Sequence, residues 1–252
     1  MGEPWGGREG VVTDDGMYCE IPVFSDWGVR ALVTTRAMGS FGTSGDEPVG
    51  EVMARWGALR RSLGLAGQRF VTASQVHGPR ILHHTGDWSG WLRGDDADGH
   101  LLDGPRIQAG PMSAAVVVAD CVPVFVVHPS GAAALLHAGW RGIAAAILPA
   151  AIRQMASAGY RASELRVHTG PAICGRCYEV GPEVASQLTG RAVDGACRVD
   201  LRAILADQAR ALGVTQLSSS DRCTAGHGGE KLFFSHRGGD RGRQVAALAT
   251  PS

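Results

Sequence analysis

This chain has no excess of charge of either sign. Its 252 residues carry 24 Lys and Arg against 24 Asp and Glu. Nucleic acids and anionic membrane surfaces select for a basic surplus, so neither is expected as a partner. Aromatic residues are scarce, at 6%, and no apolar run approaches the roughly 18 residues of a membrane-spanning helix. The opening MGEPWGGREGVV offers neither a basic n-region nor an apolar h-region, so no signal peptide is expected. Gly6 also stands where a myristoylation motif has Ser or Thr. A cytoplasmic location is the expectation, with the six cysteines as free thiols.

Several chemical signatures are missing as well. There is no HExxH, and no His is followed two residues later by Glu, as the zinc deaminase signature requires. The nine histidines form no His-x-His triplet, which speaks against a multicopper centre. Cys174 and Cys177 make a CxxC without the second, similarly spaced pair of a zinc ribbon. They are expected to be two thiols in a Gly-rich loop. GHGGEK (226–231) lacks phosphate-loop spacing, and Leu232 stands where Ser or Thr belongs.

What is present points to a folded chain with many tight turns: 44% hydrophobic residues and 36 glycines. No repeat or linker divides it, so one α/β domain over 1–252 is expected, with 1–15 as a mobile leader. Strands are expected at 28–36, 69–78 and 164–170, and helices at 51–64, 143–159, about 180–189 and about 200–212. Pro149 should kink or restart the helix of 143–159, and Asp200 should cap the last helix. Residues 114–140 form two or three β-branched apolar runs broken by ADCVP, HPSG and HAGW. These runs are the expected sheet core, with polar residues gathered where they break.

Cys121 and His137 each end or break such a run, and His77 ends another. Thiolate and imidazole suit zinc, and three protein ligands leave a fourth position open, the mark of a catalytic site. The same residues could instead supply a cysteine nucleophile with a histidine base, or be a buried small residue and two turn histidines. The segment 235–243 adds Arg237, Arg241 and Arg243, read as a solvated basic loop, with a substrate-phosphate contact as the alternative.

Taken in order, TTR (34–36), QVHG (75–78), ADCVPV (119–124), HAGWRG (137–142), GPAICGRCYEVG (170–181), CT (223–224) and FFSHR...GR (233–243) resemble the bacterial YfiH-like, or laccase-domain, family. Its members carry the names multicopper polyphenol oxidase, purine nucleoside phosphorylase and peptidoglycan editing factor. The resemblance implies a single α/β domain of layered mixed sheets flanked by helices, with one metal site. It implies zinc held by His77, Cys121 and His137. It implies phosphorolysis of adenosine, inosine, guanosine and methylthioadenosine, with adenosine deamination as a second activity. By position, Arg36 and Arg141 become phosphate or substrate contacts, Arg237 a further phosphate contact, and Asp120 the group that orients a ligand or moves a proton.

Copper at the same site is expected to be adventitious, since Cu(II) outranks zinc in intrinsic affinity. The partners implied are a small nucleoside and phosphate, acting on a monomer or small homo-oligomer. A peptidoglycan-precursor amide hydrolase using Cys121 and His137 is the rival activity, and a polyphenol oxidase the weaker one.

Overall fold

Valine-rich segments buried on both faces build the centre of the molecule. The computed structural model describes residues 10–43, 46–64, 69–85, 88–104, 110–229 and 231–251. In chain order the strands are β1 (Val11–Val12), β2 (Tyr18–Glu20), β3 (Arg30–Thr34), β4 (Arg69–Ala73), β5 (Ile81–His84), β6 (Trp91–Gly94), β7 (Gly99–Leu102), β8 (Met112–Val118), β9 (Val122–Val127), β10 (Ala133–Ala138), β11 (Arg166–Thr169), β12 (Glu179–Val180), β13 (Cys197–Arg198), β14 (Gln216–Ser219) and β15 (Gln244–Ala249). The helices are α1 (Val49–Ser62), α2 (Trp140–Ala144), α3 (Ile147–Ser157), α4 (Pro182–Thr189) and α5 (Leu201–Ala211).

Two mixed sheets stack face to face. One has seven strands in the order β1-β2-β3-β15-β8-β4-β6, and the other six in the order β14-β11-β9-β10-β7-β5. Successive strand residues point to opposite faces, and β9 shows the consequence. Phe125 and Val127 enter the core between the sheets with Val116, Leu135 and Leu248. Val124 and Val126 turn the other way, against Ile147, Ile152 and Leu205 of α3 and α5. On the outer face of the seven-stranded sheet, α1 places Val52, Trp56 and Leu59 against Leu32, Phe70 and Val245. The layers are therefore helix, sheet, sheet, helices, which is the layered α/β architecture expected from sequence.

Two local expectations need correction. The helix of 143–159 does break, but at Ala146, which has φ 61°, and not at Pro149. Pro149 falls in the first turn of α3, where a missing N–H costs no helical hydrogen bond. In the leader, residues 1–9 lie outside the described residues, but Val11 and Val12 pair with Glu20 and Cys19 as an edge strand. Asp200 caps α5 as expected, accepting the N–H groups of Arg202 and Ala203. Among the described residues no helix is long and apolar enough to cross a membrane.

Three buried histidines set the behaviour of the fold in acid. His84 Nε2 and His100 Nδ1 lie 3.0 Å apart, and His168 Nδ1 lies 2.9 Å from Ser218 Oγ. Burial pushes their pKa values down to about 4, about 3 and about 4 respectively. In the unfolded chain they return to about 6.5. The unfolded state therefore binds more protons below that value, and stability is complete above it. The thermal midpoint is expected to be level above about pH 7 and to fall progressively from about 6.5 towards 4, by up to about 1.4 kcal/mol per pH unit for each histidine. Calorimetry across that range checks it, and a flat profile would contradict the neutral state of these rings.

Candidate metal centre and cleft

The turn between β8 and β9 carries the chain from one sheet to the other, and Cys121 sits on it. His137 is the penultimate residue of β10, and His77 lies in the loop after β4. The sandwich thus brings residues from both sheets to one end. The donor atoms of His77, Cys121 and His137 all lie within 4.8 Å of one another. The two rings meet edge to face, with centroids 4.8 Å apart.

Asp98, fully buried, organises this end of the molecule. His137 Nδ1 donates to its Oδ1 at 2.7 Å, leaving the other ring nitrogen for Cys121 and a metal. The same carboxylate accepts the backbone N–H groups of Val76 (3.1 Å), His77 (2.9 Å) and Gly78 (2.8 Å). His77 has φ 61°, a left-handed conformation that costs a non-glycine residue free energy. The three N–H bonds to Asp98 hold it there. Burial opposes ionisation of Asp98, but the His137 and backbone bonds outweigh it and keep its carboxyl below the usual range.

Charge within the trio follows from the same contacts. Burial pushes the Cys121 thiol up, yet the neighbouring His137 and His77 bring it down to about 6. Burial likewise opposes charge on His137, but the Cys121 thiolate and Asp98 raise it to about 9. Without a metal, these shifts favour the thiolate–imidazolium form of the pair, with His137 buried and Cys121 half-buried. Two imidazoles and a thiolate are a donor set that zinc accepts, with room for a fourth ligand. Gly139 keeps that room open, since a Cβ there would stand 3.0 Å from Cys121 Sγ and 3.1 Å from His77 Cδ2. Gly142 lets α2 approach the QVHG loop, where a Cβ would lie 3.3 Å from the Gly78 carbonyl oxygen.

Two cavities meet at this centre. The larger, of about 940 Å³, is walled by Phe41, Trp56, Trp91, Arg93 and Arg243 and reaches His77, Cys121 and His137. The smaller, of about 350 Å³, is lined by Asp120, Trp140, Arg141, Tyr178 and Arg237. His236 lines both. Arg141 lies over the Trp140 ring at 4.4 Å and has no acidic partner among the described residues. Arg237 lies over Tyr178 at 5.1 Å and donates to the Glu179 carbonyl at 2.8 Å.

Not every residue singled out from sequence reaches the cleft. Arg36 lines neither cavity. Its guanidinium pairs with Asp240, donates to the Phe233 carbonyl at 3.1 Å and lies over Phe234 at 4.7 Å. It thereby ties the TTR turn to the loop that carries His236 and Arg237. Asp120 does line the smaller cavity, but both its carboxylate oxygens are engaged, by Thr224 Oγ1 and by the Arg237 N–H, each at 2.6 Å. With φ 76°, it holds the turn beside Cys121. Arg241 pairs with Asp46 at the surface, whereas Arg243 faces the larger cavity. Asp98 and Tyr178 were given no role in the sequence reading. Asp98 sits in a run of acidic residues (DDADGH), where nothing marks it out until the fold buries it.

A layered α/β sandwich with a His/Cys/His donor set facing a two-part cleft is the build of a metal-binding enzyme. The family described as multi-copper polyphenol oxidoreductase laccase matches residues 34–250, and the chain belongs to it. Purine nucleoside phosphorylase ORF3 of Streptomyces griseus is 33% identical over 235 residues, covering 90% of this chain and 91% of its own length. Purine nucleoside phosphorylase Rv2149c of Mycobacterium tuberculosis is 36% identical over 227 residues, covering 83% of this chain and 86% of its own. The crystal structure of YlmD from Geobacillus stearothermophilus superposes with a TM-score of 0.82 at 24% identity, over 97% of this chain and all of that one (100%). That last likeness concerns the fold alone.

Proposed function

We propose that the protein is a purine nucleoside phosphorylase that holds zinc at His77, Cys121 and His137, with adenosine deamination as an accessory activity. The observation that carries this reading is the pair of cavities meeting at the trio, the larger walled by aromatic rings and the smaller by arginines. The names of the curated relatives agree with it. The larger cavity suits a purine nucleoside, its base lying among Trp56, Trp91 and Phe41. The smaller suits phosphate, with Arg141 and Arg237 meeting its oxygens in charge-assisted hydrogen bonds.

In phosphorolysis a phosphate oxygen forms a bond to C1′ of the ribose while the bond from C1′ to the purine nitrogen breaks. The base leaves with the bonding pair. Positive charge develops on the sugar, and an anion held close by two arginines stabilises it. His236, at the junction of the cavities, is the group placed to donate a proton to the departing base. When bound, zinc supplies Lewis acidity and lowers the pKa of water to about 7, the chemistry that deamination at C6 of adenine draws on.

The test is a product assay on zinc-replete protein with inosine and phosphate. Hypoxanthine and ribose 1-phosphate are expected. Arg141→Ala is expected to raise the KM for phosphate about tenfold, equivalent to about 1.4 kcal/mol of lost charge-assisted bonding, with little change in the KM for nucleoside. Release of free ribose, or an unchanged phosphate KM in the variant, would count against the reading.

A further inference from the structure

Behind the smaller cavity lies a second cluster of ligating side chains that phosphorolysis does not use. Cys174, Cys177 and His227 place their donor atoms within 4.8 Å of one another. A third sulfur joins them: Cys223 hydrogen-bonds with the Cys174 and Cys177 side chains. The two halves come from separate loops, one carrying Cys-x-x-Cys and the other Cys-x-x-x-His. A search for paired cysteines misses this arrangement, because its second half is a cysteine and a histidine. The loops are joined by a bridge between Ala172 and Cys223 and by the Thr224 N–H to the Ala172 carbonyl at 3.1 Å.

The surroundings of the sulfurs point to a ligand. Cys223, buried, accepts the Cys174 N–H at 3.3 Å and also the N–H groups of Ala225 and His227. A neutral thiol accepts weakly, whereas a thiolate gains from each such donor. Around Cys174 the chain turns back tightly, its carbonyl accepting the N–H groups of Cys177 at 2.9 Å and Tyr178 at 3.0 Å. Gly175 lets this turn sit against the start of α5, since a Cβ there would stand 2.9 Å from Asp200 Cβ. Tight turns with N–H groups aimed at sulfur orient thiolates as ligands, the role that outer hydrogen bonds play around metals.

We infer that Cys174, Cys177, Cys223 and His227 form a second, structural zinc site, separate from the cleft trio. Three thiolates and an imidazole are a complete tetrahedral zinc set with no open position. Calcium and magnesium require oxygen donors and are excluded by this chemistry. Loading releases the thiol protons to solvent and needs no oxidant. The site fastens the wall of the smaller cavity from behind. Ile173 donates its N–H to the Asp120 carbonyl at 3.1 Å, Thr224 holds the Asp120 carboxylate, and Tyr178 lines the cavity itself.

Metal content of the purified full chain tests the assignment. After equilibration with zinc and removal of loose metal, elemental analysis should give two zinc ions per chain. A variant with His77→Ala, Cys121→Ser and His137→Ala should keep one, and a variant with Cys174→Ser and Cys177→Ser should keep the other. The exposed His227→Ala serves as a second variant with little risk to folding. In the trio-deficient background loaded with cobalt(II), thiolate-to-cobalt absorption should appear and should weaken in His227→Ala. One zinc per chain in the wild type, with none in the trio-deficient variant, would overturn the proposal. So would a Cys174–Cys177 disulfide found by mass spectrometry in protein prepared anaerobically.

Discussion

Asp98→Asn is expected to lower metal affinity at the cleft by roughly 10–100-fold, the usual effect of removing an outer carboxylate from a ligating histidine. Asparagine keeps the shape but supplies one acceptor oxygen where the carboxylate has two. The carboxylate now takes the His137 ring N–H together with the N–H groups of Val76, His77 and Gly78. At least one buried donor therefore loses its partner, at a cost of about 1–3 kcal/mol of stability. The strained backbone at His77 loses part of its restraint with it. Competition against a chromophoric chelator measures the affinity, and urea unfolding measures the stability. Unchanged affinity would mean that the trio is held by packing alone.

Changing the trio itself should have the larger effect on activity. Cys121→Ser and His137→Ala are each expected to reduce phosphorolysis to the level of chelator-treated wild type, with the cleft zinc lost. The comparison with chelation separates the leading reading from its rival. An amide hydrolase with Cys121 as nucleophile and His137 as base keeps its activity when the metal is stripped. The phosphorylase should lose activity on chelation and regain it when zinc is restored. Activity on inosine that persists in His137→Ala would remove the trio from the reaction.

How far the sequence carried these conclusions differs between its parts. The runs around Val116, Val124 and Leu135 announce buried strands, because both faces of each strand are apolar. Helix α1 is legible from Val52, Trp56 and Leu59, which recur at helical spacing. Strands β5, β6 and β7 are not, because ILHH, WLRG and GHLL are short and take their pairing from distant neighbours. The break at Ala146 was hidden for a similar reason, since nothing in a run of alanines marks which one turns left-handed. In the cleft, His77, Cys121 and His137 stood out because each interrupts an apolar run. Asp98 did not, since its four hydrogen bonds depend on β10 returning beside the QVHG loop. Arg36 shows the converse. Its place in a recognisable motif suggested a substrate contact, but Asp240 and Phe234 occupy its guanidinium.

The Cys121–His137 pair bears on how a metal would enter the cleft. With the thiol drawn down to about 6 and the imidazole raised to about 9, each neutralises the other at physiological pH. The pair would balance the site's charge in the absence of a metal, and uptake of an ion would then exchange one proton on His137 for it.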